Sequence, residues 1–204
     1  MNDYRGLRNR RQAIIAAAAE AFNAHGYAAT TVDEVATKAR ISKGNIYNYF
    51  RSKEDLFEQV FASVVGGLEA DALRVLSEPI PAVEKIKRLL DHRCTNMEDC
   101  KPIGRLVLEF WATAAREQRG RLATTLREMY DRWRDRVASI LAEGIAQGEF
   151  SSEVNSPLAA ALIVALLDGI EVESLLGFGI NLDDQYRSTL KEAVLTALTV
   201  EKKQ

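Results

Sequence analysis

The chain has 204 residues, 47% apolar and 27% charged, with 12 Gly, 4 Pro and a net charge of −2, a globular composition with room for a sizeable core and no overall charge that calls for an acidic partner. Its two cysteines exclude a disulfide framework, and no apolar run near the N-terminus ends in a small-residue cleavage site, so the expected location is the reducing cytoplasm. The most apolar stretch, Pro157 to Leu176, contains Asp168, Glu171 and Glu173, which argues against a membrane span of about 20 residues.

Pro79, Pro81, Pro102 and Pro157 all fall between long helix-period segments, where a proline is tolerated in a first turn but not in an interior. No period-2 runs suggest strands. A first helix from about 8 to 24 carries Ile15, Ala18, Ala19 and Phe22 on one stripe and ends at His25-Gly26, glycine being the usual left-handed cap. The first eleven residues hold Arg5, Arg8, Arg10 and Arg11, and residues 1–60 carry nine Lys and Arg against seven Asp and Glu. A basic head on an acidic body suits a polyanion-binding module, although chance gives an imbalance this small about as readily.

A short second helix opens at Thr31-Val32-Asp33-Glu34, a capping-box pattern, with Val32, Val35, Ala36 and Ala39 inward. A third opens at Ser42 and ends near Tyr49, and a fourth opens at Ser52 with Leu56, Phe57, Val60, Phe61 and Val64 apolar. Longer helices follow at about 82–96, 102–117, 120–147, 156–178 and 183–201, with Ser156-Pro157 read as a cap-then-proline start. The 120–147 helix places Leu122, Leu126, Met129, Tyr130, Trp133, Val137, Ile140 and Leu141 on one face. The expectation is an all-α protein of about nine helices.

Two short helices joined by three or four residues bury little alone and need the first helix behind them. A three-helix unit with a short polar third helix has the geometry of a helix-turn-helix, whose second member enters the major groove N-terminus first. In Ser42-Lys43-Gly44-Asn45-Ile46-Tyr47-Asn48-Tyr49, Ile46 can face the core beside Phe50. Lys43, Asn45, Tyr47 and Asn48 are then left outward. Lysine suits phosphate or guanine acceptors, asparagine adenine, and the tyrosine hydroxyl phosphate. Gly44 removes a side chain where a helix must approach a sugar-phosphate strand, and Thr31 and Ser42 offer hydroxyls and free N–H groups at helix starts.

The runs Thr31-Val32-Asp33-Glu34-Val35-Ala36, Ile41 to Phe50 and Ser52-Lys53-Glu54-Asp55-Leu56-Phe57 closely resemble the TetR/AcrR family of bacterial transcriptional regulators over about residues 8–60. Glu109-Phe110-Trp111, Gly148-Glu149-Phe150 and Leu166-Leu167-Asp168-Gly169 resemble its BetI-like subgroup less specifically. The family usually has glycine where this chain has Arg40. A left-handed Arg40 costs about 1 kcal/mol and adds a possible phosphate contact.

The resemblance implies a DNA-binding domain over 1–52, its helix-turn-helix at about 31–50, and a ligand-binding and dimerisation domain over 53–204. It implies that Lys43, Gly44, Asn45, Tyr47 and Asn48 lie at DNA, with Asn45 reading bases, and that Thr31, Arg40, Ser42, Tyr49 and Lys53 serve the phosphate side. Packing is the competing role for Tyr49. It also implies a homodimer through helices 156–178 and 183–201 on a palindromic operator, and an unidentified small-molecule effector. Arg105, Glu109, Phe110, Trp111, Tyr130, Trp133 and Asp168 are its candidate pocket, with core packing the rival role.

The expected function is a repressor released by its effector, without cofactor, metal or catalysis, since neither histidine sits in a recognisable catalytic or metal-binding pattern. The alternatives are a ligand-independent DNA-binding regulator, or a thiol or metal sensor through Cys94 and Cys100. The six-residue spacing of those two cysteines does not match the usual zinc gap.

Overall fold

The computed structural model describes residues 2–99, 104–117, 120–178 and 181–199. Among these the chain is wholly helical, with α1 (Asn2–Ala29), α2 (Val32–Lys38), α3 (Lys43–Tyr47), α4 (Lys53–Leu76), α5 (Ala82–Asp99), α6 (Gly104–Arg116), α7 (Arg121–Ala146), α8 (Ser156–Leu176) and α9 (Asp184–Thr199). It divides into two compact units, residues 1–69 with 102–124, and residues 70–101 with 125–204. Segment 102–124, which holds α6, therefore packs with the N-terminal helices.

In the first unit α1 turns Ile14, Ile15, Ala18, Ala21 and Phe22 inward, and Val35, Ala36, Ile46 and Phe50 close over them from the helix-turn-helix. Gly26 breaks α1 with φ 81 and ψ 162, and one further turn follows it. Aromatic rings fill the space between α1, α4 and α6. Phe57 meets Phe22 edge-on at 5.3 Å, Tyr27 at 4.3 Å and Phe110 at 4.7 Å, and Phe61 meets Phe110 at 4.8 Å, separations at which ring pairs attract beyond the area they bury. Arg11 reaches Gln59 Oε1 at 2.6 Å and lies over the Phe50 ring.

The second unit has its own core, built from Ile86, Leu89, Leu90 and Cys94 of α5, Val137, Ile140 and Leu141 of α7, Ala160, Ile163, Leu167 and Ile170 of α8, and Leu190, Val194 and Leu198 of α9. Caps fix the ends of its helices. Asn155 accepts from Leu158 N–H at 3.0 Å, so the α8 cap sits one residue before the expected Ser156, and Gly177 closes α8 with φ 72. Asp183 caps α9 through Tyr186 N–H at 2.9 Å. Glu149, distant in sequence, accepts from Ala82 and Val83 N–H at the start of α5. The outer face of α8 is left apolar and exposed, with Leu158 at 60%, Leu162 at 63% and Leu166 at 43% exposure. These leucines stand one per turn beside the exposed Ala165 and Gly169. Among the described residues no helix is long and apolar enough to cross a membrane.

Candidate nucleic-acid interface

The helix-turn-helix is set by local hydrogen bonds. The Thr31 hydroxyl accepts from Glu34 N–H at 3.2 Å and starts α2, and the Ser42 hydroxyl accepts from Asn45 N–H at 3.3 Å and starts α3. Between them Arg40 N–H bonds Thr37 O at 3.1 Å and Ile41 N–H bonds Ala36 O at 3.0 Å. This pair of closures is a Schellman motif with Arg40 at its left-handed position. Arg40 has φ 56, and among the described residues it is the one non-glycine with positive φ. The turn therefore has the glycine-type geometry even though the residue is arginine. Arg40→Gly is expected to stabilise the fold by about 1 kcal/mol, raising Tm by roughly 2–4 °C. Differential scanning calorimetry checks the shift, and a lower Tm would show that the arginine side chain stabilises more than its backbone costs.

Only Ile46 of α3 is buried. Lys43, Gly44, Asn45, Tyr47 and Asn48 lie on the exposed side, Tyr47 at 48%. A Cβ at Gly44 would meet nothing within 4 Å, so nothing inside the protein demands glycine there. Lys43 Nζ sits 2.7 Å from Asp33 Oδ2, and this contact holds its ammonium above the ordinary lysine pKa. Asn48 Nδ2 donates to Asn45 Oδ1 at 3.2 Å. The half-buried Tyr49 stacks obliquely on Phe50 at 6.5 Å and lines a small groove with Arg10, Ala13, Ile14, Ala39, Ile41 and Asn45. Lys53 donates to Ala28 O at 3.2 Å and stands 4.5 Å from the Tyr27 ring centroid.

The expected pocket residues separate between the two units. In the first, Glu109 accepts from Tyr27 N–H at 2.7 Å, Phe110 is buried in the aromatic cluster, and Trp111 is half-buried on α6. The side chain of Arg105 lies outside the described residues. In the second, the Tyr130 phenol and the Asp168 carboxylate lie close enough to influence each other, and Trp133 packs against the core. Burial pushes the Asp168 carboxyl up to about 6, against the opposing pull of Arg93 and of the Tyr130 hydroxyl. Burial, followed by the nearby Asp168 charge, raises the Tyr130 phenol. Arg93 pairs with the buried Glu171 at 2.7 Å. Sequence reasoning missed this pair, whose members lie 78 residues apart. Cys94 is buried in the apolar core, the setting of a packing cysteine, and Cys100 lies outside the described residues. Among those residues no group of three or more His, Cys, Asp or Glu could hold a metal ion.

A family model described as bacterial regulatory proteins of the tetR family matches residues 14–60, and one described as the C-terminal part of BetI-type transcriptional repressors matches residues 82–199. The chain belongs to the TetR family. This TetR-family chain is a helix-turn-helix transcriptional regulator that binds DNA. It is similar to the transcriptional regulator YhgD of Bacillus subtilis, 35% identical over 40% of this chain and 43% of that one. It also resembles YfiR of the same organism, 29% identical over 80% and 79%. Among solved structures, a TetR regulator from Haloarcula marismortui superposes with a TM-score of 0.83 at 18% identity over 94% and 98% of the two chains. FadR of Bacillus subtilis, solved in complex with stearoyl-CoA, superposes at 0.77 with 22% identity over 92% and 98%.

Proposed function

We propose that this TetR-family protein is a homodimeric repressor that leaves a palindromic operator when a small molecule binds. Residues 1–52 read DNA, and residues 53–204 bind the effector and pair the subunits. The observation that carries this reading is the short helix α3, capped by Ser42, which buries Ile46 and turns Lys43, Gly44, Asn45, Tyr47 and Asn48 to solvent. Lys43, Asn45, Tyr47 and Asn48 face the groove, with Asn45 at a base edge, and Gly44 lets the helix approach the strand. Thr31, Arg40, Ser42, Tyr49 and Lys53 take phosphates.

The leucine stripe of α8, joined by α9, supports pairing through helices 156–178 and 183–201. A two-fold dimer then presents its recognition helices to half-sites roughly 34–36 Å apart. The effector site is assigned to Tyr130, Trp133 and Asp168. A carboxylate and a phenol set beside each other in a partly buried place, with the carboxyl pKa raised by burial, mark a functional position more often than a surface one. FadR, with its stearoyl-CoA, shows that a protein of this fold holds a small molecule.

Fluorescence anisotropy with a labelled duplex from upstream of the protein's own gene tests the reading. Tight binding is expected at low salt, with a loss of about 10³-fold between about 50 and 200 mM KCl for some six phosphate contacts. The effector is expected to weaken binding by roughly 5- to 150-fold. If the duplex is ignored, DNA reading is wrong; if no metabolite fraction from the host weakens the complex, the effector is wrong.

A further inference from the structure

The sequence places Glu109 among pocket residues, yet its carboxylate is committed elsewhere, at the point where α1 breaks ahead of the helix-turn-helix. The positive φ of Gly26 starts a fresh turn over residues 27–29, closed by Thr30 N–H on Gly26 O at 3.2 Å. Tyr27 N–H then points away from α1 as an orphan donor of the kind every helix start leaves. Glu109 of α6 supplies the acceptor from 82 positions further along the chain, with Oε2 2.7 Å from Tyr27 N. The fit is close, since a Cβ on residue 26 would lie 2.8 Å from Glu109 Oε1. Glycine is thus required there for its φ, and the missing side chain leaves room for the carboxylate to approach.

The same turn holds a DNA-side cation. Lys53, at the start of α4, donates to Ala28 O at 3.2 Å and lies 4.5 Å from the centre of the Tyr27 ring. The Thr30 hydroxyl, buried, lies 2.8 Å from Gly26 O and 3.1 Å from Ala21 O, and Thr31 then caps α2. Everything that places the Lys53 ammonium, a carbonyl and a ring, is therefore carried by the residue that Glu109 grips and its neighbour.

We propose that Glu109 is a positioning residue for DNA binding: through the Tyr27 N–H it fixes the turn that presents Lys53 to a phosphate. This rests on the proposed role of Lys53 at DNA and adds a residue on α6 that touches no nucleic acid itself. A charge-assisted bond to a backbone N–H is about twice as strong as a neutral one, which suits a bond that must hold one turn in place.

The test measures operator affinity against salt for the full-length protein and for Glu109→Ala, Glu109→Gln, Lys53→Ala and the Glu109→Ala/Lys53→Ala double variant, on the labelled upstream duplex. Glu109→Ala is expected to weaken binding about tenfold and to reduce the slope of log Kd against log salt by about one per subunit, the signature of a lost phosphate contact. Lys53→Ala is expected to do the same, and the double variant to lose no more than either alone, because both remove one contact. Glu109→Gln keeps an acceptor oxygen and is expected to retain the wild-type slope. If the alanine variant does not fold, Glu109→Asp, one methylene too short for the 2.7 Å bond, must show the reduced slope instead.

A wild-type slope in Glu109→Ala, whatever its melting temperature, or additive losses in the double variant, overturns the inference. Wild-type protein in the same titration tests the proposed function separately. Its failure to bind overturns that reading, whereas normal wild-type binding with an unaltered variant slope overturns only the role of Glu109.

Discussion

Tyr47→Ala and Lys43→Ala will each weaken operator binding by about 30-fold or more while leaving the folded dimer intact. A groove contact of this kind is worth about 1–3 kcal/mol, and in a two-fold complex each substitution removes it twice. The fold does not depend on either side chain. Tyr47 is 48% exposed and stands outside the buried core, and Lys43 bonds Asp33 on the open surface, where an ion pair adds little stability. Anisotropy on the upstream duplex, with circular dichroism and sedimentation as controls, separates the two effects. Unchanged affinity in both variants would remove α3 from the interface.

Leu162→Glu will split the dimer and, with it, lower operator affinity by about 10²- to 10⁴-fold. Leu162 is 63% exposed on the outer face of α8, midway between Leu158 and Leu166, so a carboxylate there is harmless to a single subunit. Across a two-fold contact it meets its own copy or an apolar wall, and an unpaired buried charge is strongly unfavourable. The loss of affinity follows from linkage, because tethered heads bind their second half-site at an effective concentration that a monomer lacks. Sedimentation equilibrium measures the first effect and anisotropy the second. A variant that remains dimeric would move the interface away from this face of α8.

The features legible in the sequence were those decided within a few residues. Thr31 and Ser42 stand where their hydroxyls meet the third amide onward, so their caps can be read directly, and Gly26, read as a stop, is where α1 breaks. The end of α8 at Gly177 was not read, the helix being expected to run to 178. Ile46 is the apolar residue in a run of polar ones, and it is the residue that α3 buries. The left-handed geometry at Arg40 was not legible: the family resemblance puts glycine at that position, and an arginine there leaves the turn open until the structure shows φ 56.

What the sequence hid depends on contacts between distant segments. Nothing near Glu109 indicates that its carboxylate serves Tyr27, and nothing near Glu149 indicates that it caps α5. The burial that lifts Asp168 comes from α8 packing into the second unit. A charged residue on an apolar helix has several possible partners, and only the fold selects among them.

The ion pair between Lys43 and Asp33 bears on how the protein searches a chromosome. If Lys43 meets DNA as proposed, any stretch of duplex, matched or not, must first displace the Asp33 carboxylate that holds its ammonium at 2.7 Å. The displacement costs little, because the pair is exposed, and it weighs equally on every sequence. A matched site still outlasts it through bonds to base edges, while generic DNA is released sooner and the regulator returns to scanning.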